Sequence, residues 1–231
     1  MQERREELLS IYNSLYRRFG PQHWWPGDSP LEISIGAILT QNTAWRNVER
    51  AIENLKREGL LSVKGLEKVS MEKLRAAIRP AGYFNEKAKK IKAFIDFLFA
   101  NYQGSLRKMF KEEREILRKK LLQIRGIGKE TADSILLYAG NLPVFVVDAY
   151  TRRILSRHNL VSEKADYEEI QRLFMDNLPL EAKLFNEFHA LFVRLGKEIC
   201  KKKDPDCVHC PLRRFSVSTS SENKEHFPRQ T

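Results

Sequence analysis

Residues 122–133 read Leu-Gln-Ile-Arg-Gly-Ile-Gly-Lys-Glu-Thr-Ala-Asp, and this stretch decides the fold. Apolar residues at helical spacing lie on both sides of it, so one helix ends near Gln123 and another begins near Lys129. The Gly-Ile-Gly turn permits positive φ and lets the main chain approach a ligand closely. The second helix offers unpaired N–H groups and a positive dipole end, which suit a phosphate. The alternative is an ordinary corner between two helices that needs glycine for its turn.

The charge of the chain favours the phosphate interpretation. Lys and Arg number 41 against 30 Asp and Glu, a formal net charge of +11. Such an excess is typical of proteins with a polyanionic partner, of which nucleic acid is the commonest. We therefore expect the hairpin to bind the DNA backbone, and its predicted DNA contacts are Arg125, Gly126, Ile127, Gly128, Lys129 and Thr131.

The pattern is helical nearly throughout, which predicts an all-α fold. Helices fit residues 2–19, 30–41, 44–57, 71–78, 87–98, 112–122, 129–139, 149–158, 165–177 and 181–200. The apolar segment 144–147 has strand-like composition, but it is too short and isolated to build a sheet, so we expect buried extended chain. From about residue 216 the chain is polar, which predicts a disordered tail over 216–231.

That extended segment delivers one carboxylate, Asp148, to the start of a helix. Aspartate is a favoured N-cap residue, so a capping role is the simplest interpretation. A catalytic role is compatible with it, because capping N–H groups would keep the carboxylate ionised at neutral pH.

The hairpin followed by Val146-Val147-Asp148 resembles the signature of the helix-hairpin-helix base-excision glycosylases, the endonuclease III superfamily. The resemblance extends over about residues 8–213. It implies that the hairpin grips DNA and that Asp148 drives cleavage of the N-glycosidic bond. It also implies two helical domains with the cleft between them: a six-helix barrel over 30–146, and a second domain from 1–29 and 147–215.

Position 130 departs from the members of this superfamily that also cut the DNA strand. Those members carry a lysine there, whose amine forms a Schiff base with the sugar. This chain has Glu130, which cannot do so. We therefore expect base removal without strand cleavage; the alternative is that another lysine substitutes.

All three tryptophans fall in the first 45 residues, within Trp24-Trp25-Pro26 and Leu39-Thr40-Gln41-Asn42-Thr43-Ala44-Trp45. Bulky aromatics are usually core residues. Here, however, they adjoin loops, and the pattern, with Arg79-Pro80-Ala81-Gly82-Tyr83, resembles the 3-methyladenine DNA glycosylase III type. That resemblance implies a pocket for an alkylated purine lined by Trp24, Trp25, Pro26, Trp45 and Glu130. A cationic methylated purine would be attracted to tryptophan faces by about 0.5–2 kcal/mol.

The polar turn before Trp45 has two interpretations. Gln41 and Asn42 are candidates for a wedge that fills the space left by a flipped base. The alternative is an N-cap at Asn42 or Thr43.

All three cysteines lie near the end of the helical region. Cys200, Cys207 and Cys210 match three ligands of the cluster loop in endonuclease III, but the fourth position is Ser216. A [4Fe–4S] cluster normally takes four thiolates. The spacing indicates ancestry, and a bound cluster stays open; catalysis by Asp148 requires no cofactor.

The sequence therefore predicts a monofunctional glycosylase that removes alkylated purines such as 3-methyladenine from double-stranded DNA. The alternatives are a bifunctional endonuclease III-like glycosylase and lyase for oxidised pyrimidines, and a DNA-binding protein without catalysis. With neither a signal sequence nor an apolar run of ~18 residues, we expect an intracellular, nucleoid-associated monomer and no membrane partner.

Overall fold

The computed structural model of the protein describes residues 2–216. Within that range helices are the only regular elements, which confirms the predicted all-α class. The tail was predicted to be disordered over 216–231, and residues 217–231 lie outside the described range. In the described part of the chain, no helix combines the length and the apolar character needed to cross a membrane.

Twelve α-helices make up the described chain, and one of them continues into a π-helical turn at Ile135–Ala139. They are α1 (Gln2–Phe19), α2 (Pro30–Leu39), α3 (Trp45–Arg57), α4 (Val63–Lys68), α5 (Met71–Ala77), α6 (Phe84–Tyr102), α7 (Leu106–Met109), α8 (Arg114–Leu122), α9 (Lys129–Ser134), α10 (Ala149–Arg157), α11 (Tyr167–Met175) and α12 (Ala182–Glu198).

Helix boundaries follow local chemistry in most places. Ser29 caps α2 by accepting the N–H of Glu32, and Pro30 occupies the first turn, where its missing N–H costs nothing. Asp166 caps α11 in the same way. The short helices α4 and α7 were not predicted, because a helix of one or two turns contains too few residues for its periodicity to show.

The centre of the molecule is α2, in which nearly every residue is buried. It packs against α3, α6, α9 and the π-helical turn, whereas α1 and α10 pack against α12. The π-helical turn also contacts α12 and so joins the two groups of helices. One continuous apolar core runs through both groups, and the division into two domains at residues 29/30 and 146/147 stays a prediction.

The extended segment Val144–Val147 is fully buried, as predicted. Side chains of α11, rather than a neighbouring strand, bond the main chain of Phe145 and Val147. Gln171 donates to the Phe145 carbonyl at 2.7 Å, and the ring of Phe145 stacks on Phe174 at 3.6 Å between centroids. The segment is therefore held rigidly up to the residue before Asp148.

The predicted single helix over 129–139 is interrupted. It is α-helical to Ser134 and then widens into the π-helical turn, which contains Tyr138. Such turns are often found at functional sites, and this one places Tyr138 against the residues described next.

Candidate active site

Asp148 is the N-cap of α10, as predicted. Its Oδ1 accepts the main-chain N–H of Thr151 at 2.7 Å, and its side chain is only 13% exposed. Burial alone would raise the pKa of this carboxyl, but the facing His189 and the main-chain N–H of Thr151 outweigh it, so the pKa lies below its usual value. Asp148 is therefore ionised at neutral pH, with its second oxygen available.

A cavity of about 430 Å³ opens beside this carboxylate. Its wall combines aromatic rings, two acids and one lysine. The lining residues are Trp24, Trp25, Thr40, Thr43, Ala44, Trp45, Glu130, Ser134, Val146, Asp148, Tyr150, His189, Val193 and Lys197. A cavity of this size, mostly apolar with a few convergent polar groups, is typical of a small-ligand site.

The three tryptophans meet at one side of this cavity. The ring centroids of Trp24 and Trp25 each lie within 5.5 Å of that of Trp45, at tilted or edge-to-face angles. Trp45 is fixed by a 2.8 Å hydrogen bond from its indole N–H to Glu49. A Cβ at Gly36 of α2 would sit 3.3 Å from the Trp25 ring, so glycine there lets the ring pack closely. The result is a preformed aromatic wall suited to a planar base.

Glu130 is the second acid of the cavity. Partial desolvation and the nearby Asp148 charge raise its pKa to about 7. The pKa values of the two carboxyls therefore differ, that of Asp148 being lowered and that of Glu130 raised although Glu130 is partly exposed. The Asp148 carboxylate can stabilise positive charge on a sugar, and Glu130 can donate a proton.

The structure brings together four of the five predicted pocket residues, namely Trp24, Trp25, Trp45 and Glu130, around Asp148. Pro26 lies elsewhere, beside a neighbouring cavity of about 360 Å³ that shares the Trp25 and Trp45 rings. A contact between Pro26 and a bound base is therefore still a prediction.

Three residues of the site were missed at the sequence level: Tyr138, His189 and Lys197. Tyr138 Oη lies 2.5 Å from His189 Nδ1, and His189 Nε2 lies 3.6 Å from Asp148 Oδ2. The ammonium of Lys197 lies 5.6 Å from the centre of the Trp24 ring. A single Tyr, His or Lys on an amphipathic helix carries no local signal of function. Only the packing of α12 against the π-helical turn and the start of α10 reveals these three residues.

The two glycines of the hairpin have different roles in its geometry. Gly126 has φ +86°, and a Cβ there would collide with the alkyl chain of Lys90. Gly128 has an ordinary φ of −93°, and apart from its own chain neighbours no described atom lies within 4 Å of where its Cβ would be. The open space in front of Gly128, at the start of α9, suits close approach of an external group.

Other predicted DNA contacts of the hairpin are not alike. Ile127 is buried and its N–H donates to the Ile124 carbonyl, so neither its side chain nor its N–H is free to contact DNA. The prediction at this position therefore concerns the main chain of the neighbouring residues. Lys129 pairs with Glu168 at 2.5 Å, whereas Arg125 is exposed. An anion bound at the hairpin would therefore compete with Glu168 for Lys129.

The turn before Trp45 does not cap a helix with its side chains. The N-cap of α3 is Ala44, which has no side-chain bond, so the N-cap interpretation of Asn42 and Thr43 is wrong. Asn42 instead adopts a left-handed conformation with φ +52°, and Gln41 is exposed and hydrogen-bonded to Lys90. Through Lys90, this turn adjoins Gly126 of the hairpin.

A buried polar network holds the hairpin against the site. Asp133 of α9 is fully buried and accepts two bonds from Arg118 at 2.6 and 3.0 Å. Tyr167 and Gln171 of α11 each donate to it at 2.8 Å. The Tyr167 hydroxyl in turn accepts the N–H of Val147, the residue before Asp148. The network thus joins the hairpin to the segment that carries the catalytic candidate.

The cysteine loop offers three thiols and Ser216 rather than the four thiolates of the endonuclease III-type cluster. Cys200 is buried with Arg157 donating to its sulfur at 3.4 Å, Cys207 is exposed and Cys210 is half-buried. No three His, Cys, Asp or Glu side chains in residues 2–216 are arranged to hold a metal ion. The loop is tied to α10 by Arg153 and Arg157, which donate to loop carbonyls.

Comparison with known proteins yields a consistent match. Residues 35–180 match the family model described as HhH-GPD superfamily base excision DNA repair protein. A Methanocaldococcus jannaschii protein that carries the provisional name of a DNA repair glycosylase is 48% identical over 221 residues, which cover 94% of this chain and all of that protein.

Two solved structures are also similar. The H. pylori 3-methyladenine DNA glycosylase bound to 1,N6-ethenoadenine is 31% identical, with a TM-score of 0.71 over 84% of this chain and 97% of that one. A trapped covalent intermediate of endonuclease III with DNA superposes with a TM-score of 0.78 at 21% identity, over 91% and 94% of the two chains. The second likeness shows the fold alone.

Proposed function

Because the chain belongs to the HhH-GPD superfamily of base excision DNA repair proteins, we propose that this DNA glycosylase hydrolyses the N-glycosidic bond of alkylated purines such as 3-methyladenine, without cutting the strand. The observation that carries the proposal is the tryptophan wall set beside an ionised Asp148. The likeness to the H. pylori 3-methyladenine glycosylase supports it.

The cavity suits an alkylated purine in shape and charge. Tryptophan faces attract a cationic ring by about 0.5–2 kcal/mol. When Glu130 is ionised, its carboxylate and that of Asp148 outnumber the single ammonium of Lys197 in the lining. A flipped cationic base would therefore enter a site that is aromatic and net negative, within a basic protein that attracts the DNA itself.

Asp148 performs the chemistry in this proposal. Cleavage of the glycosidic bond sends its electron pair to the departing base and passes through an oxocarbenium-like state, which a fixed carboxylate stabilises. A water molecule then bonds to the sugar carbon and releases one proton to solvent. A cationic base leaves without prior protonation, and Glu130 is placed to donate a proton to a neutral one. No step needs a cofactor.

One observation favours a second function, that of a glycosylase with lyase activity. Lys197 is the single lysine among the residues that line the cavity, so an amine is present near the sugar site although position 130 is Glu130. Its ammonium faces the Trp24 ring. We assign Lys197 to the base pocket rather than to attack on the sugar.

The experiment that tests both functions is base release from a panel of duplexes, each with one lesion: 3-methyladenine, 7-methylguanine, 1,N6-ethenoadenine or thymine glycol. We expect release of an alkylated purine, an abasic product that breaks only after alkali, and no covalent complex after borohydride treatment, because an imine requires an amine at the sugar. Thymine glycol should be left intact.

Two variants sharpen this experiment. Lys197→Gln should keep the alkali requirement unchanged, and Glu130→Lys should introduce weak nicking if the new amine is desolvated enough to be neutral. Borohydride trapping by the wild type that disappears in Lys197→Gln would establish the lyase function instead. Release of thymine glycol but no alkylated purine would overturn the proposed substrate class.

The hairpin should supply sequence-independent affinity for DNA. We expect Lys129→Ala to weaken binding to all duplexes alike and to reduce the slope of log Kd against log salt by about one, because one phosphate contact is lost. The measurement is fluorescence anisotropy on undamaged duplexes between about 50 and 200 mM salt.

Glu168 provides the matched variant. It neutralises Lys129 in the free protein, so Glu168→Gln should tighten binding while Lys129→Ala weakens it. Equal binding of wild type and both variants at every salt concentration would remove Lys129 from the DNA interface.

The remaining assignments complete this picture of a DNA-bound enzyme. We assign Gln41 and Asn42 to the wedge that replaces the flipped base, since both are exposed next to the hairpin. Tyr83, 71% accessible, is the N-cap of α6, three residues before Glu86, whose carboxylate interacts electrostatically with Arg125. We place the DNA across this face, bound by a monomer with its cleft between the two helical groups.

A further inference from the structure

The surroundings of Asp148 contain buried donors that the proposed reaction leaves unexplained. His189 Nε2 and Thr151 Oγ1 are both buried without a hydrogen-bond partner in the described chain. His189 itself is 5% exposed and lies on α12, the helix opposite the start of α10. Leaving such a group unsatisfied is costly, so its position facing a carboxylate calls for a functional account.

Tyr138 sets the orientation of this imidazole. Its hydroxyl lies 2.5 Å from His189 Nδ1, and burial together with the charges of Asp148 and Glu130 raises the pKa of Tyr138 well above its usual value. The hydroxyl therefore keeps its proton at every working pH. His189 Nδ1 is the one hydrogen-bond partner of this hydroxyl in the described chain, so the tyrosine proton is directed towards Nδ1.

This arrangement places a hydrogen on Nε2 of His189. If Nδ1 accepts from Tyr138, a neutral imidazole carries its hydrogen on Nε2; if the ring is doubly protonated, Nε2 carries one as well. The remaining tautomer would point a lone pair at the Asp148 carboxylate, which is repulsive. In every favourable state, Nε2–H faces Asp148 Oδ2, now 3.6 Å away.

We propose that His189, oriented by Tyr138, is the positioning residue that keeps Asp148 ionised and aimed into the cavity. The proposal deepens the proposed function and rests on it for the role of Asp148. The gap of 3.6 Å is longer than a direct hydrogen bond, so in this proposal the bond closes when bound substrate shifts the carboxylate. Catalytic contacts commonly tighten in this way on binding.

Other charged or titratable groups also lie around Asp148, and the test has to separate them from His189. They are Glu130 on α9, Tyr138 in the π-helical turn, Lys197 on α12, and, on the outer side, Arg152, Arg153, Glu163 and Tyr167. Glu130 titrates in the same experiment, so selective labelling of aspartate is needed to observe Asp148 by itself.

The decisive measurement is the titration of Asp148 by NMR, with aspartate labelled at the carboxyl carbon and the signal assigned by its loss in Asp148→Asn. In His189→Met, we expect the pKa of Asp148 to rise by about one unit or more, because a facing donor is lost from a buried carboxylate. His189→Gln, of the same length but with an N–H at the position of Nε2, should restore it to within about half a unit of wild type.

Tyr138→Phe keeps the imidazole but removes the proton that orients it, and it should raise the pKa of Asp148 by a smaller amount. This variant also serves if His189→Met does not fold. Phe188→Leu, a neighbouring core position on α12, should lower thermal stability without moving the titration. A purely structural role for His189 would make His189→Met behave like Phe188→Leu.

Kinetics supply the second readout. As the pH is lowered, the single-turnover rate of base release should begin to fall at a higher pH in His189→Met than in wild type, because Asp148 is protonated earlier. DNA affinity should be unchanged. An unchanged Asp148 titration in both His189→Met and Tyr138→Phe would overturn the proposal. If the wild type releases no base from any lesion, the proposed function fails, while the titration still decides whether His189 controls Asp148.

Discussion

Asp148→Asn should reduce base release in single-turnover assays by at least ~10²–10³-fold, the usual cost of removing one well-placed electrostatic group. Asparagine has the same shape and is an equally good N-cap, so the Thr151 N–H stays satisfied and the fold is retained. What is lost is the negative charge beside the cavity, which matters in the transition state and little for gripping the backbone. Affinity for lesion-containing duplex should stay within a few-fold of wild type.

A second aspartate provides a matched control for this substitution. Asp166 caps α11 with the same geometry, accepting the N–H of Glu169 at 2.7 Å, but it does not line the cavity. Asp166→Asn should leave the rate unchanged. A near-normal rate for Asp148→Asn, or an equal loss for both variants, would remove Asp148 from the catalytic role.

Asp133→Ala should lower the free energy of unfolding by about 3–5 kcal/mol, the range seen when one partner of a buried ion pair is removed. The side chain of Asp133 is fully buried. Its loss leaves the guanidinium of Arg118, a side chain that is 15% exposed, without its carboxylate. Tyr167 and Gln171 lose an acceptor at the same time. Denaturant titration followed by circular dichroism measures the change.

Comparison variants show whether burial causes this effect. Asp28→Ala removes an acid whose pairing with Lys56 is exposed to solvent, and it should cost less than about 1 kcal/mol. The double variant Asp133→Leu with Arg118→Met removes both charges and should recover much of the loss. A cost for Asp133→Ala no larger than that for Asp28→Ala would show that the network contributes little to stability.

Local chemistry let the sequence determine the hairpin, the buried extended segment and the cap at Asp148. Gly126 needs positive φ for a turn made within four residues, and Asp148 bonds an N–H only three residues away. The all-α class follows equally from periodicity within each helix. Features of this kind depend on neighbours in the chain, and the structure reproduces them.

The resemblance placed the tryptophans and Glu130 in the pocket, but only the tertiary structure showed how they meet Asp148 and which further residues join them. The tryptophans come from more than 100 residues earlier, and His189 and Lys197 come from a helix about 40–50 residues later. Packing also separated Pro26 from the cavity, paired Lys129 with Glu168 and left the turn at Asn42 without a capping role. Side chains on different helices meet only where ridges and grooves of those helices dock, and no short stretch of sequence specifies that docking.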